Sequence, residues 1–169
     1  MGLDVYFRKY QDYSSLRKAK EITQQCNALC EEFKDNDKFQ QLKTSISQLE
    51  TALEQNIEQD EIAYFRKAYF ILSYFEYTEN CSDMILTKQD VQNLINSLRA
   101  VLALNKQEYS ISEYENKVYA ILRCDNNNFW YDYTPNNIPL DMYETAIDHL
   151  EYALEEIKDN EPIILHAWW

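Results

Sequence analysis

The feature that most limits this chain is its shortage of turn residues: one Gly and three Pro in 169 positions. Tight β-hairpins rely on left-handed backbone that Gly and Asn adopt most readily, so a fold of many short strands is disfavoured. Long helices joined by short polar connections suit the composition better. The apolar fraction is 46%, as a globular core requires. A single domain spanning 1–169 would bury roughly two-thirds of its unfolded surface, enough to fold without disulfide or metal staples.

Periodicity then places the elements. Residues 3–8, LDVYFR, read as a short strand rich in aromatic and aliphatic side chains. Leu16, Ala19, Ile22, Cys26, Leu29 and Phe33 recur at helical spacing, as do Phe39, Leu42, Ile46, Leu49, Leu53 and Ile57. The polar stretch KDNDK (34–38) between them predicts an antiparallel helical hairpin. Residues 64–75, YFRKAYFILSYF, carry rings on all sides of a helical projection, which predicts a buried third helix. Thr87 and Asp90 have the spacing of a capping box before Val91, Leu94, Ile95, Leu98, Val101 and Leu102. A further helix begins near Ser110 or Ser112, with Ile111, Tyr114, Val118, Ile121 and Leu122 inward. The last helix starts near Pro139, and the tail IILHAWW (163–169) is strand-like. Two lone strands at opposite ends of a chain need partners for their backbone groups, so LDVYFR is expected to pair with IILHAWW. The expected fold is therefore mostly α: about six helices in a bundle, closed by a small antiparallel β-ribbon through the termini.

Several function classes are disfavoured. The net charge is −13. Residues 1–20 hold five basic and two acidic groups, giving +3, and the other 149 hold 11 basic and 27 acidic, giving −16. A surface this acidic repels phosphates at long range, so direct nucleic-acid binding is not expected. No run of 18 apolar residues and no signal-like N-terminus is present, which predicts a cytoplasmic protein away from membranes. Cys26 and Cys30 share a helix face and would make a zinc site with His149 or His166, but they lie on the apolar stripe, where Cys serves as a small hydrophobe. No metal or cofactor is expected. Cys81 or Cys124 with a His would be a minimal nucleophilic pair, but no local motif surrounds either. One Gly cannot build a phosphate-cradling loop.

The most unusual charge pattern is on the last helix. Asp141, Glu144, Asp148, Glu151 and Glu155 recur at three and four residues, a stripe about 21 Å long. Glu50, Glu54 and Glu58 form a second ladder, with Asp60 and Glu61 next. Neither carries Lys or Arg at the i+4 positions that would relieve it, and like charges at that spacing each cost a few tenths of a kcal/mol. The plain reading is a solvated face. The sharper reading is a rod of carboxylates that imitates nucleic-acid phosphates and occupies a basic groove on a partner. Phe129, Trp130 and Tyr131, in the aromatic stretch before the last helix, form a second candidate binding element, because Trp and Tyr dominate interface energies. Tyr64, Arg66 and Lys67 are a third candidate, as the mouth of a small-molecule or nucleotide pocket.

The order of landmarks resembles a family of small proteins encoded by phages, prophages and bacteria. Met1-Gly2-Leu3-Asp4-Val5-Tyr6-Phe7 is similar to an MGLDxYL-type N-terminus. Tyr64-Phe65-Arg66-Lys67-Ala68 is similar to a YWRKA-type helix, Asn80-Cys81-Ser82 to an NCG element, and Thr87-Lys88-Gln89-Asp90-Val91 to a SKEDL element. Phe129–Tyr133 echoes an aromatic stretch, and His166-Ala167-Trp168-Trp169 an HASW-type end. Residues 10–60 fall outside the likeness and look like an altered insertion. The resemblance implies a genomic context rather than a chemistry. Taken with the ladder, it supports a non-enzymatic protein that binds a host nucleic-acid-handling or defence protein, as an anti-CRISPR or anti-restriction inhibitor would. The alternatives are a small-molecule or nucleotide binder at Tyr64/Arg66/Lys67 and an enzyme of unassigned type.

Overall fold

The computed structural model describes residues 3–32, 37–77, 79–122, 134–158 and 160–169. Its backbone divides into two compact units, one of residues 1–9 with 61–169 and one of residues 10–60. In chain order the elements are β1 (Asp4–Tyr10), α1 (Tyr13–Glu32), α2 (Asp37–Asn56), β2 (Gln59–Arg66), α3 (Tyr69–Tyr74), β3 (Asp83–Leu86), α4 (Lys88–Leu102), α5 (Ile111–Leu122), α6 (Leu140–Glu155) and β4 (Ile163–Trp168). The mostly helical architecture and the pairing of the terminal strands follow the sequence reading.

In the larger unit a four-stranded sheet has the order β2-β1-β4-β3. β1 and β4 are antiparallel, with Val5 opposite Ala167 and Phe7 opposite Leu165. β3 takes the other side of β4, with Met84 opposite Leu165 and Leu86 opposite Ile163. Strand alternation sends Leu3, Val5 and Phe7 into the core with Leu165 and Ala167. The helices close over that face through single stripes: Leu94, Ile95 and Leu98 of α4, Tyr114, Val118 and Leu122 of α5, and Tyr143, Ile147 and Leu150 of α6. Ile111 departs from its expected inward place and is 63% exposed. It opens α5, one position after the capping Ser110, so the first turn carries it outside the packed stripe.

Capping chemistry sets two helix starts. The Thr87 hydroxyl accepts from the Asp90 N–H, and the Asp90 carboxylate accepts from the Thr87 N–H at 2.8 Å, a complete capping box. Thr87→Ala is expected to cost about 1 kcal/mol, read from the midpoint of urea unfolding. An unchanged midpoint would show that α4 starts without its cap. Ser110 and Glu113 repeat the arrangement before α5, and the two hydrogen bonds from Ser110 hold the Glu113 carboxyl below the usual range.

The stretch 64–75 is not one helix. Residues to Arg66 complete β2, with Ala63 and Phe65 buried and Tyr64 and Arg66 exposed by period-two alternation. Lys67 then takes a left-handed φ of 61°, its N–H donating to the Leu3 carbonyl at 2.9 Å, and α3 begins only at Tyr69. Glu76, Cys81 and Asn160 are also left-handed. With its only Gly at position 2, the chain fills three of these turns with Lys67, Glu76 and Cys81, which carry steric strain there, and one with Asn160, which tolerates the conformation.

The segment 79–82 clamps the C-terminus. Asn80 exchanges two side-chain hydrogen bonds with the backbone of Trp169, both 2.9 Å, and the Cys81 N–H donates to the Ala167 carbonyl. The Ala167 N–H donates to the Tyr77 hydroxyl, which in turn donates to the Ser82 carbonyl. Trp169 meets Tyr77 edge-on at 6.0 Å, whereas Trp168 is 55% exposed.

In the smaller unit α1 and α2 form an antiparallel hairpin. Lys20 pairs with Glu54 at 2.6 Å, and Lys43 with Glu31 at 3.5 Å, which fixes the opposed directions. Among the residues of α1 whose side chains are described, only Leu16 and Thr23 are buried, and none of α2 is. Ile22, Leu29, Leu42 and Leu49 lie at the surface. A two-helix hairpin covers only a narrow seam, and these apolar stripes are wider than that seam. None of the described helices is long and apolar enough to cross a membrane.

Candidate functional site

Three groups of residues were candidates from the sequence, and the structure sorts them. Phe129, Trp130 and Tyr131 lie outside the described residues. Of the α6 ladder, Asp141, Glu144, Asp148 and Glu155 are exposed and Glu151 is half-buried, while the opposite stripe of Tyr143, Ile147, Leu150 and Leu154 is buried. Glu151 is not unrelieved: the Arg99 guanidinium of α4 forms an ion pair with it. The other four make no ion pair or hydrogen bond through their side chains among the described residues. The second ladder does not persist. α2 ends at Asn56, so Glu58 falls beyond it and Asp60 and Glu61 enter β2. Glu54 is neutralised by Lys20, whose ammonium is held above its usual pKa chiefly by that hydrogen bond. Both relieving cations come from a neighbouring helix, which i+4 spacing along one helix cannot reveal.

The structure joins the pocket candidate to the ladder. A cleft of about 200 Å³ is lined by Tyr64, Phe65, Arg66, Ala68 and Phe70 on one side and by Asp141, Met142, Thr145 and His149 on the other. The first wall exists because β2 ends at the left-handed Lys67 and the chain turns sharply into α3. Lys67 itself does not line the cleft. The second wall is one face of α6: Asp141, Thr145 and His149 follow at i, i+4 and i+8. Phe65, Ala68 and Phe70 give an apolar floor, with the His149 ring 5.8 Å from that of Phe65.

The rim is polar. The Tyr64 hydroxyl donates to Asp4 Oδ1 at 2.6 Å, and that hydrogen bond raises the phenol pKa. The Tyr64 ring also leans on Tyr6 at 5.2 Å. The side chains of Arg66, Asp141, Thr145 and His149 make no hydrogen bond or ion pair among the described residues. The sequence reading missed Thr145 and His149 as site residues. Their four-residue spacing from Asp141 was a usable signal, but nothing local places the β2–α3 corner opposite that face.

The other candidates carry less. Among the described residues no three His, Cys, Asp or Glu side chains gather as a metal site. Cys81 is exposed, and its thiol lies 3.5 Å from Asn80 Oδ1. His166 faces Asp83 across β4 and β3 at 2.8 Å, with Tyr6 on its flank. Comparisons with protein families, curated proteins and solved structures return no match.

Proposed function

We propose that this protein acts by non-covalent binding, presenting the outer face of α6 to a basic groove on a nucleic-acid-handling partner. The observation that carries this reading is the set of four exposed carboxylates, Asp141, Glu144, Asp148 and Glu155, without a cation among the described residues. They span about 21 Å on a helix whose reverse is anchored in the core. A stripe so held loses little conformational freedom on binding. Lys and Arg placed on a partner to hold phosphates would supply the missing counter-charges. In the setting implied by the sequence resemblance, the partner is a host defence nuclease or a similar protein, and the action is inhibition.

The test is a tagged pull-down from host lysate, run at low and high salt, with and without competing duplex DNA. A variant carrying Asp141→Asn, Glu144→Gln, Asp148→Asn and Glu155→Gln runs in parallel. The expected result is a nucleic-acid-binding protein captured by the native chain, released by salt and by DNA, and absent from the variant. Equal capture by both forms, or capture indifferent to DNA, removes the proposal.

A further inference from the structure

We infer that the cleft between the β2–α3 corner and the first turns of α6 is a binding site for a small zwitterion, a free α-amino acid with an aliphatic side chain. Opposite charges line one small space without meeting. Arg66 and Asp141 both line the cleft, yet no ion pair joins them. Neither charge is used elsewhere among the described residues, nor are the Thr145 hydroxyl and the His149 imidazole. A molecule between them with a carboxylate at one end and an ammonium at the other would satisfy both. The planar guanidinium of Arg66 suits a carboxylate in a two-point contact. Asp141 accepts from an ammonium, and Thr145, one turn further along the same face, adds a hydroxyl.

The space and its floor narrow the class. About 200 Å³ is below the roughly 300–1,000 Å³ of pockets that hold drug-sized ligands. The floor of Phe65, Ala68, Phe70 and Met142 is apolar, so it suits an alkyl side chain. A nucleoside polyphosphate fits poorly, because Arg66 is the only Lys or Arg among the described residues that line the cleft, and Asp141 repels phosphate. A simple monoanion leaves Asp141 unpaired, and a simple amine leaves Arg66 unpaired. The walls are already in position: Tyr64 is fixed by its bond to Asp4, and His149 rests on Phe65.

This inference shares Asp141 with the α6 stripe but is otherwise separate from it. It needs Arg66, which the stripe does not include, and it does not need Glu144, Asp148 or Glu155. The experiment is calorimetric titration of the full chain with L-leucine, L-valine and L-methionine. It continues with the two compounds that each keep one of leucine's charges, 4-methylpentanoate and 3-methylbutylamine. The expected result is saturable binding of at least one amino acid. Loss of about tenfold or more in affinity is expected for each one-charge compound and for the variants Arg66→Gln and Asp141→Asn. Both side chains are exposed, so both variants should keep the native thermal midpoint. A Glu144→Gln, Asp148→Asn, Glu155→Gln variant should bind the amino acid as the native chain does. No saturable binding by any of the three amino acids overturns the inference. So does equal binding of 4-methylpentanoate, or amino-acid binding that survives both Arg66→Gln and Asp141→Asn.

Discussion

Replacing Leu165 by Pro is expected to abolish cooperative folding of the sheet-bearing unit. β4 is an interior strand, flanked by β1 on one side and β3 on the other. Leu165 sits at its middle, fully buried, opposite Phe7 and Met84. Proline removes the backbone donor and forces its ring into a ladder with strands on both sides, a cost of about 3 kcal/mol or more. Loss of the leucine side chain from the core adds about 2–5 kcal/mol. Domains of this size hold about 5–15 kcal/mol in total, so the sum consumes most or all of the stability. Far-UV circular dichroism and urea unfolding are the readouts. A native spectrum with an unchanged midpoint would mean that β4 is not an interior strand. Trp168→Ala, three residues away but exposed, should shift the midpoint little.

Leu150→Ala should destabilise by about 2–5 kcal/mol, whereas Ile111→Ala should stay within about 0.5 kcal/mol. The two side chains have similar volumes and both lie on helices, so helix propensity does not separate them. Burial does: Leu150 is fully enclosed in the core, and Ile111 faces solvent at the start of α5. Leu150 also lies on α6, between ladder residues Asp148 and Glu151, so its loss would loosen the platform under the proposed binding stripe. The difference is read as two urea midpoints at constant slope. Equal shifts would mean that α6 does not pack as the buried stripe indicates.

The elements that could be read from sequence are those with a local chemical cause. Thr87 and Ser110 announce their helices because the hydroxyl and the acid three residues on each accept one otherwise free N–H. α4 and α6 show clean apolar stripes because each buries one face only. The stretch 64–75 misled for the complementary reason. Its rings serve two elements with different periods, and the break at Lys67 has no Gly or Pro to mark it. Residues far apart in the chain prove to be in contact: Asp4 bonds Tyr64, and the 80–81 pair holds the backbone of residues 167 and 169. Sequence displays such residues as separate landmarks, and their mutual hydrogen bonds appear only in three dimensions.

The candidate sites divide in the same way. Tyr64, Arg66 and Asp141 could be named from the chain, but as members of two different ideas. Their meeting in one cleft required the β2–α3 corner to lie against the first turns of α6. The ladder's like charges were countable from spacing, whereas the cations that relieve Glu151 and Glu54 arrive from other helices. What the sequence determined alone is what depends on neighbours within about one helical turn: caps, stripes, the scarcity of glycine, and the need of two terminal strands for a partner. What the tertiary structure decided is which charges stay unpaired and which polar groups share a cavity. Those outcomes depend on contacts between residues far apart in the chain, such as Arg66 and Asp141, and no local periodicity encodes them.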